Sequence, residues 1–539
     1  MTKINYLKII IIYSVFITLI FNFHIFGYFE NAYYVKFKSD FNKIYFLISG
    51  FLLIFTILVS IFFLLGHRYL LKPLIIILVF ISAINYYFLN NLQVVIDEGV
   101  IQSTVDSFVE RNWGEINDLL TFKYFIFLFF LAFLPSIILF FIKIEYPNFK
   151  KEVAVRIVFP LFLFLVTGTL IFLNYKNISF IARGISELKT QVIPHYFISN
   201  VKDYIDVRVD ANRDFIKLKY TADQLFPEEK MIGVFIVGET ARADRFSLNG
   251  YSKKTNPFLE KQNIQNFSDA YSCGTYTAVS VPCMFTLSEY KKYNAHESKF
   301  QENLLDLIKS SNIETVWIGN NSSCKHVCDR VKTIDYVDKN SENYIGYGVH
   351  DEVVIDGLKK VLSENKSNKI LIILHTMGSH GPAYFKRYPD EFEKFKPSCR
   401  SNEPQSCSAD ELNNSFDNTI LYTDYIISKA INVLKNEEES QNFLIYASDH
   451  GESLGENGVY LHAAPMRIAP KEQIHIPILM WASENLKRKR KLIGKNYPTY
   501  RESKNKISHE YLPHTILDFF NLKTPYLNLN KSMLSVIKN

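Results

Sequence analysis

Long apolar stretches dominate the first third of the chain, whereas most charges and all the cysteines follow it. Five of these stretches are apolar and long enough to cross a bilayer, which takes about 20 residues each. They are Ile9 to Phe29, Ile44 to Gly66, Leu74 to Leu92, Tyr124 to Ile142 and Ile157 to Asn174. The first lacks a small-residue cleavage site, so we interpret it as a retained helix rather than a signal peptide. The pattern predicts an α-helical membrane domain with five transmembrane helices over residues 1–174.

The charges in the short loops predict how these helices are oriented. Two loops are basic and should face the cytoplasm; their basic residues are His67, Arg68, Lys72, Lys143, Lys150, Lys151 and Arg156. The acidic loop from Gln93 to Phe122 should face outward. Its apolar spacing over residues 94–120 indicates either an interfacial amphipathic helix or a helix packed on the soluble domain. Five crossings from an inside N-terminus place everything after Asn174 outside the cytoplasm.

Beyond the membrane region the pattern changes twice. Residues 175–230 mix charges with apolar patches, which indicates a helical linker. From Met231 onward, β-rich runs alternate with helix-length segments. The predicted strands are Ile232 to Val237, Glu314 to Ile318, Lys369 to Leu374, Phe443 to Tyr446 and Ile476 to Trp481, and the predicted helices are Gln301 to Ser310, Asp351 to Leu362 and Asn414 to Lys435. This alternation predicts an α/β domain over residues 231–539 with a mostly parallel sheet covered on both faces.

The net charge bears on which partners the chain binds, and the cysteines bear on the compartment in which it lies. A formal charge of +6 is small for 539 residues, and no basic segment with interleaved aromatics indicates a nucleic-acid partner. The six cysteines fall into three close pairs: Cys273 with Cys283, Cys324 with Cys328, and Cys399 with Cys407. Pairing by proximity predicts three disulfides and an oxidising compartment. A zinc knuckle or free thiols are the alternatives, although two of the pairs lack the spacing that structural zinc favours.

Polar residues follow the predicted strands at points that a parallel sheet brings together. Glu239 follows the first strand, and Asp449 and His450 follow the strand that begins at Phe443. Ligands bind outside the carboxyl ends of such strands. Two carboxylates and an imidazole suit a borderline divalent metal, most naturally zinc. Asp449-His450 alone could be an ordinary turn, but together with Glu239 the pair predicts a zinc site here.

A hydroxyl beside that metal would be a nucleophile, since a bound metal lowers the pKa of a neighbouring hydroxyl. Thr277 is the first choice, because it opens a predicted helix whose N-terminus would favour a phosphate. On the residues alone, Thr275 and Ser280 are equally possible nucleophiles. Thr277 could also be an ordinary N-cap.

Four further polar residues are candidates for substrate binding. His380 and His462 could hold a second metal, or could donate to a phosphate oxygen or a leaving group. Lys325 lies between Cys324 and Cys328 and could neutralise a phosphate oxygen, and Asn321 is a weaker candidate. Ordinary surface roles are the alternative for the histidines and for the lysine.

Four motifs resemble the phosphoethanolamine transferases of Gram-negative bacteria, which include the lipid A modifying enzymes of polymyxin resistance. The motifs are Gly238-Glu-Thr-Ala-Arg242, Cys273-Gly-Thr-Tyr-Thr-Ala-Val-Ser-Val-Pro-Cys-Met-Phe285, Gly378-Ser-His-Gly-Pro-Ala383 and Ser448-Asp-His-Gly-Glu-Ser-Leu-Gly-Glu-Asn-Gly458. The family belongs to the alkaline phosphatase and sulfatase superfamily and also has five N-terminal spans. The resemblance covers essentially the whole chain.

The resemblance implies a role for each candidate residue. Thr277 would be the nucleophile that becomes phosphoethanolamine-modified, and Glu239, Thr277, Asp449 and His450 would hold the catalytic zinc. His380 and His462 would bind substrate phosphate or a further zinc, and Lys325 and Asn321 would lie in the substrate pocket. The three cysteine pairs match family disulfides.

The resemblance also implies a reaction and a location. The donor would be phosphatidylethanolamine, and the acceptor lipid A, another lipooligosaccharide group or a protein. The chain would be a multi-pass protein of the bacterial inner membrane, with a periplasmic linker over residues 175–230 and a sulfatase-like periplasmic catalytic domain over residues 231–539. Alternatives are a glycerol-phosphate transferase of the same superfamily and a non-catalytic membrane sensor. A sulfatase is disfavoured, because Val281 to Phe285 does not supply the motif that sulfatases modify.

Overall fold

The computed structural model describes residues 3–25, 43–92, 96, 100–101, 104–105, 120–173, 192–209, 215–321, 323–336, 349–464, 466–467, 469–490, 501–503 and 506–538. The chain forms two compact units: Met1–Glu98 with Leu120–Ile205, and Gly99–Leu119 with Asp206–Asn539. Most of the predicted amphipathic segment at 94–120, and residues 175–191 and 210–214 of the predicted linker, lie outside the described residues.

The first unit is built from apolar helices. In chain order they are α1 (Tyr6–Asn22), α2 (Lys43–Leu65), α3 (Leu71–Tyr87), α4 (Phe122–Leu128), α5 (Leu134–Phe141) and α6 (Phe149–Leu173). A further helix, α7 (His195–Val209), mixes charged and apolar residues; it begins in this unit, and its residues from Asp206 onward belong to the second unit. A short π-helical turn, Phe88–Leu92, extends α3. Another, Phe129–Phe133, joins α4 to α5. Two three-residue strands, β1 (Lys3–Asn5) and β2 (Lys143–Glu145), pair in parallel.

Four helices in the described part of this unit are long and apolar enough to cross a membrane: Ile48–Leu65, Leu71–Asn91, Phe122–Phe141 and Phe149–Leu173. They correspond to the second to fifth predicted spans. The first predicted span coincides in part with α1, an apolar helix of 17 residues. Its last predicted residues lie outside the described part of the chain, so the count of five stays a prediction.

The second unit contains the α/β domain. Its strands are β3 (Asp223–Gln224), β4 (Met231–Gly238), β5 (Ile264–Tyr271), β6 (Glu314–Gly319), β7 (Lys332–Asp335), β8 (Lys369–His375), β9 (Gln441–Ser448), β10 (Ser453–Leu454), β11 (Tyr460–Leu461), β12 (His475–Ala482), β13 (Arg501–Ser503), β14 (Ile507–Ser508) and β15 (Leu522–Lys523). Its helices are α8 (Thr277–Met284), α9 (Ala295–Ser298), α10 (Leu304–Ser310), α11 (Glu352–Glu364), α12 (Ala409–Lys435), α13 (Lys471–Ile474), α14 (Glu484–Lys489), α15 (Tyr511–Phe519) and α16 (Met533–Lys538).

The central sheet has the strand order β13-β5-β12-β9-β4-β8-β6-β7, with β14 also paired to β5. The pairs from β9 to β7 are all parallel, as predicted. Strand β12 is the exception, since it runs antiparallel to both β9 and β5. The sheet is therefore mixed, with one antiparallel strand among parallel ones.

Both faces of this sheet are buried, because alternate residues of its strands enter two separate hydrophobic cores. Along β4, Phe235 and Val237 pack in one core with α10 and α15, whereas Val234 and Ile236 pack in the other with α11 and α12. The two cores confirm the prediction of a sheet covered on both sides. The arrangement leaves the carboxyl ends of β4, β8 and β9 as the edge where polar side chains can gather.

The cysteines form three disulfides, Cys273–Cys283, Cys324–Cys328 and Cys399–Cys407, as their proximity predicted. The first clamps the loop between β5 and α8, and the second closes a tight turn after β6. The third lies directly before α12. None of the six cysteines is free.

Candidate active site

The site begins where two neighbouring strands end in register. In the parallel pair β4–β9, Gly238 lies opposite Ser448, and the N–H of Asp449 donates to the Gly238 carbonyl at 2.9 Å. The next residues, Glu239 and Asp449, therefore leave the sheet side by side, and His450 follows. All three candidate ligands are fully buried.

Glu239, Asp449 and His450 form a compact donor set, since one ligand atom from each lies within 4.8 Å of the others. His450 Nε2 is 3.3 Å from Glu239 Oε1 and 3.4 Å from Asp449 Oδ2. His450 Nδ1 lies 2.9 Å from the Gly451 carbonyl, which can only accept, so Nδ1 carries a proton. In the neutral ring, Nε2 then presents its lone pair to the two carboxylates, as a metal ligand requires.

Thr277 completes this cluster. Its Oγ1 lies 3.1 Å from Glu239 Oε2 and 3.4 Å from His450 Nε2. Thr277 is the first residue of α8, and the N-cap position belongs to Tyr276, whose side chain makes no capping bond. The Thr277 hydroxyl therefore faces the donor set and does not cap its own helix.

The other two hydroxyls that the sequence left open point elsewhere. Thr275 Oγ1 donates to the Ala464 carbonyl at 2.7 Å. Ser280 Oγ donates to the Tyr276 carbonyl at 2.8 Å and reaches Asp449 Oδ2 only at 3.5 Å. Of the three hydroxyls, that of Thr277 lies between Glu239 and His450.

Two residues next to the candidate ligands, Thr240 and Ser448, fix them in place; neither is among the candidates predicted from the sequence. Thr240 has a φ of 61°, its N–H donates to Asp449 Oδ1 at 3.1 Å, and its hydroxyl donates to Glu239 Oε1 at 2.5 Å. Ser448 Oγ accepts from the Ala241 N–H at 2.7 Å and donates to the His450 carbonyl at 2.9 Å. Their adjacency to Glu239 and Asp449 was the only available signal.

Asn321 joins the cluster directly. It follows β6, and its Nδ2 donates to Glu239 Oε2 at 2.8 Å and to the Thr376 carbonyl at 3.0 Å. The side-chain amide therefore orients the carboxylate that also contacts Thr277. This contact with a candidate ligand was not predicted from the sequence.

His380 is delivered by the loop after β8. The buried carboxylate of Asp351 accepts from the Met377 and Gly378 N–H groups at 2.8 and 2.9 Å, and Ser379 N–H donates to the Glu239 carbonyl at 3.0 Å. These bonds hold the loop against the site. Asp351 was not recognised in the sequence, where it was simply the first residue of a predicted helix.

His462 lies next to the donor set, with its ring centroid 4.4 Å from that of His450 and 5.8 Å from that of His380. The fully buried Glu452 lies 3.1 Å from His462 Nδ1 and orients the ring. The two predicted pocket histidines are thus neighbours. Glu452 lies in the same motif as Asp449 and His450, but it is not among the candidates predicted from the sequence.

Lys325 is also buried, in the turn that the Cys324–Cys328 disulfide closes. It lies near His375, the last residue of β8. Burial lowers the pKa of His375 to about 4; the negative charge of Glu239 opposes this shift, and the positive charge of Lys325 adds to it. Lys325 and Glu239 thus act electrostatically on the same imidazole.

Comparisons with known proteins match both units of the chain. A sulfatase family model matches residues 232–522, and a model described as phosphoethanolamine transferase EptA/EptB matches residues 54–209. The chain is 35% identical over 477 residues to the phosphoethanolamine transferase EptA of Escherichia coli strain K12, covering 87% of this chain and 86% of that protein. The chain belongs to the phosphoethanolamine transferase family.

Two further members of the family support the assignment. The phosphatidylethanolamine transferase Mcr-2 of Escherichia coli is 36% identical over 471 residues, covering 85% of this chain and 86% of that protein. The structure of the integral membrane lipooligosaccharide phosphoethanolamine transferase A from Neisseria meningitidis matches with a TM-score of 0.89 and 29% identity over 99% of both chains. The present chain is therefore a transferase with a helical membrane region and a sulfatase-like domain.

The electrostatics of the transferase site fit a bound cation. Burial and the negative charge of Glu239 raise the pKa of Asp449 to about 7. Burial would lower the pKa of His450, but Asp449 and Glu239 outweigh it and raise that pKa to about 10. Burial would also raise the pKa of Glu239, but contacts with His450 and Thr240 hold it well below its ordinary value. Two buried carboxylates so close together repel each other, and a divalent ion among them would offset that repulsion.

Proposed function

We propose that the chain transfers phosphoethanolamine from phosphatidylethanolamine to lipid A, or to another lipooligosaccharide or periplasmic acceptor, through a covalent intermediate on Thr277. One observation carries the proposal: Thr277 Oγ1 lies 3.1 Å from Glu239 Oε2 and 3.4 Å from His450 Nε2, at the N-terminus of α8. A hydroxyl beside a metal-type donor set, with helix N–H groups facing an incoming phosphate, is the arrangement that phosphoryl transfer needs.

Zinc is the proposed cofactor. Glu239, Asp449 and His450, together with Thr277, offer the oxygen and imidazole ligands that zinc prefers. When bound, zinc lowers the pKa of a neighbouring hydroxyl and neutralises developing charge on phosphoryl oxygens. A second zinc near His380 and His462 is part of the same proposal, because their rings are adjacent.

The first step breaks one phosphate ester and forms another. Thr277 Oγ1, whose proton is directed at Glu239, attacks the phosphorus of the donor in line. The bond between phosphorus and the diacylglycerol oxygen breaks, and that oxygen takes up a proton, for which His462 or His380 is the proposed source. Lys325 neutralises charge on the phosphoryl oxygens. Diacylglycerol leaves, and phosphoethanolamine remains esterified to Thr277.

The second step transfers phosphoethanolamine from Thr277 to the acceptor. A phosphate or hydroxyl oxygen of the acceptor attacks the same phosphorus and gives up its proton to the histidine that lost one in the first step. The bond between phosphorus and Thr277 Oγ1 breaks, and Thr277 Oγ1 takes back its proton from Glu239. Asn321 keeps Glu239 in place through both steps, because its amide donates to Oε2 at 2.8 Å. The site is then ready for another donor.

The proposed location follows from where donor and acceptor reside. Both lipids are anchored in a bilayer, and the described part of the chain has four helices able to span one. We place the chain in the bacterial inner membrane, with residues 1–174 as the membrane domain, 175–230 as a periplasmic linker and 231–539 as the periplasmic catalytic domain. The three disulfides fit an oxidising compartment.

The decisive test is covalent labelling. The full chain is incubated with phosphatidylethanolamine labelled in its ethanolamine group, and the protein is analysed by mass and by radiolabel. We expect wild type and Thr275→Ala to carry the label on Thr277, and Thr277→Ala to carry none. Label on the Thr277→Ala protein would refute the nucleophile assignment.

The acceptor requires a second measurement. Intact-lipid masses from cells with and without the protein should differ by phosphoethanolamine on lipid A. A mass change confined to core sugar or to protein would move the acceptor there, and long glycerol-phosphate chains would indicate the alternative transferase. A chain that holds no zinc and forms no adduct would be a sensor.

A further inference from the structure

His509 is a buried histidine that the proposed mechanism leaves without a task. It follows β14, which pairs in parallel with the end of β5, and its backbone N–H donates to the Tyr271 carbonyl at 3.2 Å. The side chain is fully buried. The imidazole of His509 therefore lies beside the loop that leads from β5 to Thr277.

The two ring nitrogens of His509 have different partners. Nε2 lies 2.8 Å from the Ser448 carbonyl, which can only accept, so Nε2 carries the proton. Nδ1 lies 3.4 Å from the Cys273 nitrogen, whose N–H donates to it, and 3.3 Å from Cys273 Sγ, which is part of the disulfide. Burial lowers the pKa of His509 to about 4, so the ring is neutral near pH 7 and Nδ1 remains an acceptor.

The two partners of His509, Ser448 and Cys273, lie on the two segments whose relative position the proposed reaction depends on. Ser448 directly precedes Asp449 and His450, and its hydroxyl also ties Ala241 to the His450 carbonyl. Cys273 begins the disulfide-clamped loop that carries Thr277. A second link runs in parallel, because Ser272 Oγ lies 2.5 Å from the Asp449 carbonyl.

We propose that His509 is a positioning residue, a neutral imidazole that joins the loop carrying Thr277 to the strand end carrying Asp449 and His450. The inference rests on the proposed role of Thr277. A flat ring with a donor on one nitrogen and an acceptor on the other fixes both segments at one separation. That separation sets where Thr277 Oγ1 lies relative to His450, and displacements of about 1 Å can cost about 100-fold in rate.

Three substitutions separate the two contacts. His509→Gln can place an amide N–H near the Nε2 position and retain the bond to Ser448, and His509→Asn can place an amide oxygen near the Nδ1 position and retain the bond from Cys273. His509→Phe fills the space without either contact. The matched control is His475→Gln, because His475 Nε2 also lies 2.7 Å from a carbonyl of β5, that of Ser268, without contacting Ser448 or Cys273.

The full-length variants are assayed in detergent with a fluorescent phosphatidylethanolamine, following diacylglycerol release, Thr277 adduct formation and melting temperature. All rates are measured well below the melting temperature of each variant. We expect kcat to fall about 10-fold in His509→Gln and His509→Asn and about 100-fold in His509→Phe, with KM within about twofold of wild type. His475→Gln should keep both constants within about twofold.

Either of two results would overturn the inference: kcat unchanged in the folded His509 variants, or losses matched by His475→Gln. If His509→Phe does not fold, the Gln and Asn variants carry the test alone. Failure of the wild type to form the Thr277 adduct would refute the proposed function instead, so the two ideas fail separately. Partial activity in both amide variants, with none in the Phe variant, supports positioning through two contacts.

Discussion

The backbone of Gly378 lies so close to Glu239 that a β-carbon at residue 378 would stand 2.6 Å from the Glu239 carbonyl oxygen. Gly378 also has a φ of 51°, which side chains rarely adopt. This approach allows Ser379 N–H to reach the same carbonyl at 3.0 Å and sets the start of the segment that carries His380. The glycine therefore joins Glu239, a candidate ligand, to the segment that carries His380 through the backbone.

Replacing Gly378 with alanine should damage the site beyond the cost of backbone strain. The left-handed conformation alone costs about 1–2 kcal/mol for a residue with a β-carbon. The clash with Glu239 adds to that cost and shifts the carboxylate, so we expect a lower melting temperature and a loss of transferase activity of 10-fold or more. Thermal unfolding and the fluorescent-donor assay measure the two effects.

Gly458→Ala is the matched control. Gly458 has a φ of 78°, but a β-carbon there would meet no atom within 4 Å. It should therefore show the strain without the clash and keep its activity. Equal losses in the two alanine variants would show that the close approach of residue 378 to Glu239 is unimportant.

The parts of the site that the sequence could predict are those that follow from strand ends. Val234 and Ile445 lie in continuous apolar runs, so β4 and β9 were recognisable, and residues after parallel strands meet at one edge. Glu239, Asp449 and His450 followed from this rule. Thr277 could not be separated from its neighbouring hydroxyls, because the choice depends on the direction of side chains within a loop that the Cys273–Cys283 disulfide constrains.

The parts that the sequence could not predict have no periodic signal. Strand β5, Ile264–Tyr271, mixes polar and apolar residues, and the antiparallel direction of β12 depends on pairing with that strand. Because β14 pairs with β5 too, the placement of His509 beside Cys273 was equally hidden. Asp351 acts by hydrogen bonding to a loop 26 residues away, which spacing along the chain does not reveal. Glu452 lies close to Asp449 and His450 in the sequence, but its contact with His462 depends on the path of the intervening chain.

Substituting Asn321 should make the activity depend on pH in a defined direction. The Asn321 amide donates to Glu239 Oε2 at 2.8 Å, so Asn321→Asp would place a carboxylate against another carboxylate. Like charges this close raise the pKa of the pair. At low pH the introduced group is protonated and can donate as the amide does; as pH rises it ionises and repels Glu239. We expect the activity of the variant relative to wild type to fall between pH 5 and pH 8.

Asn321→Ala provides the comparison, because it removes the donor without adding a charge. Its activity should be reduced by a constant factor across the same range, roughly 10-fold, as expected for a lost bond to a charged group. Parallel pH profiles for Asn321→Asp and Asn321→Ala would contradict the orienting role of the amide.

Metal removal should reveal how strongly the donor set depends on a cation. After chelation, the transferase should lose activity and melt at a lower temperature, and added zinc should restore both. A ligand at about 1,000 times its dissociation constant stabilises by about 4 kcal/mol. Differential scanning calorimetry and metal analysis check the response.

Asp449→Asn tests whether that response comes from this donor set. It retains an oxygen for the Thr240 and His450 N–H groups but removes one of two repelling carboxylates. The metal-free variant should therefore melt no lower than metal-free wild type, while zinc should no longer raise its melting temperature. A zinc response of wild-type size in this variant would place the metal elsewhere.

The disulfide that encloses Thr277 should matter more for activity than for stability. Cys273–Cys283 and Cys399–Cys407 join residues 10 and 8 apart, so loop entropy predicts about 2.5 kcal/mol of stabilisation for each. Only the first closes the loop that holds the Thr277 hydroxyl 3.1 Å from Glu239. We expect the Cys273→Ala, Cys283→Ala double variant to lose at least 10-fold in kcat, and the Cys399→Ala, Cys407→Ala variant to stay within about threefold of wild type. Both should show similar falls in the free energy of unfolding. Equal activities in the two double variants would mean that the fold positions Thr277 without its clamp.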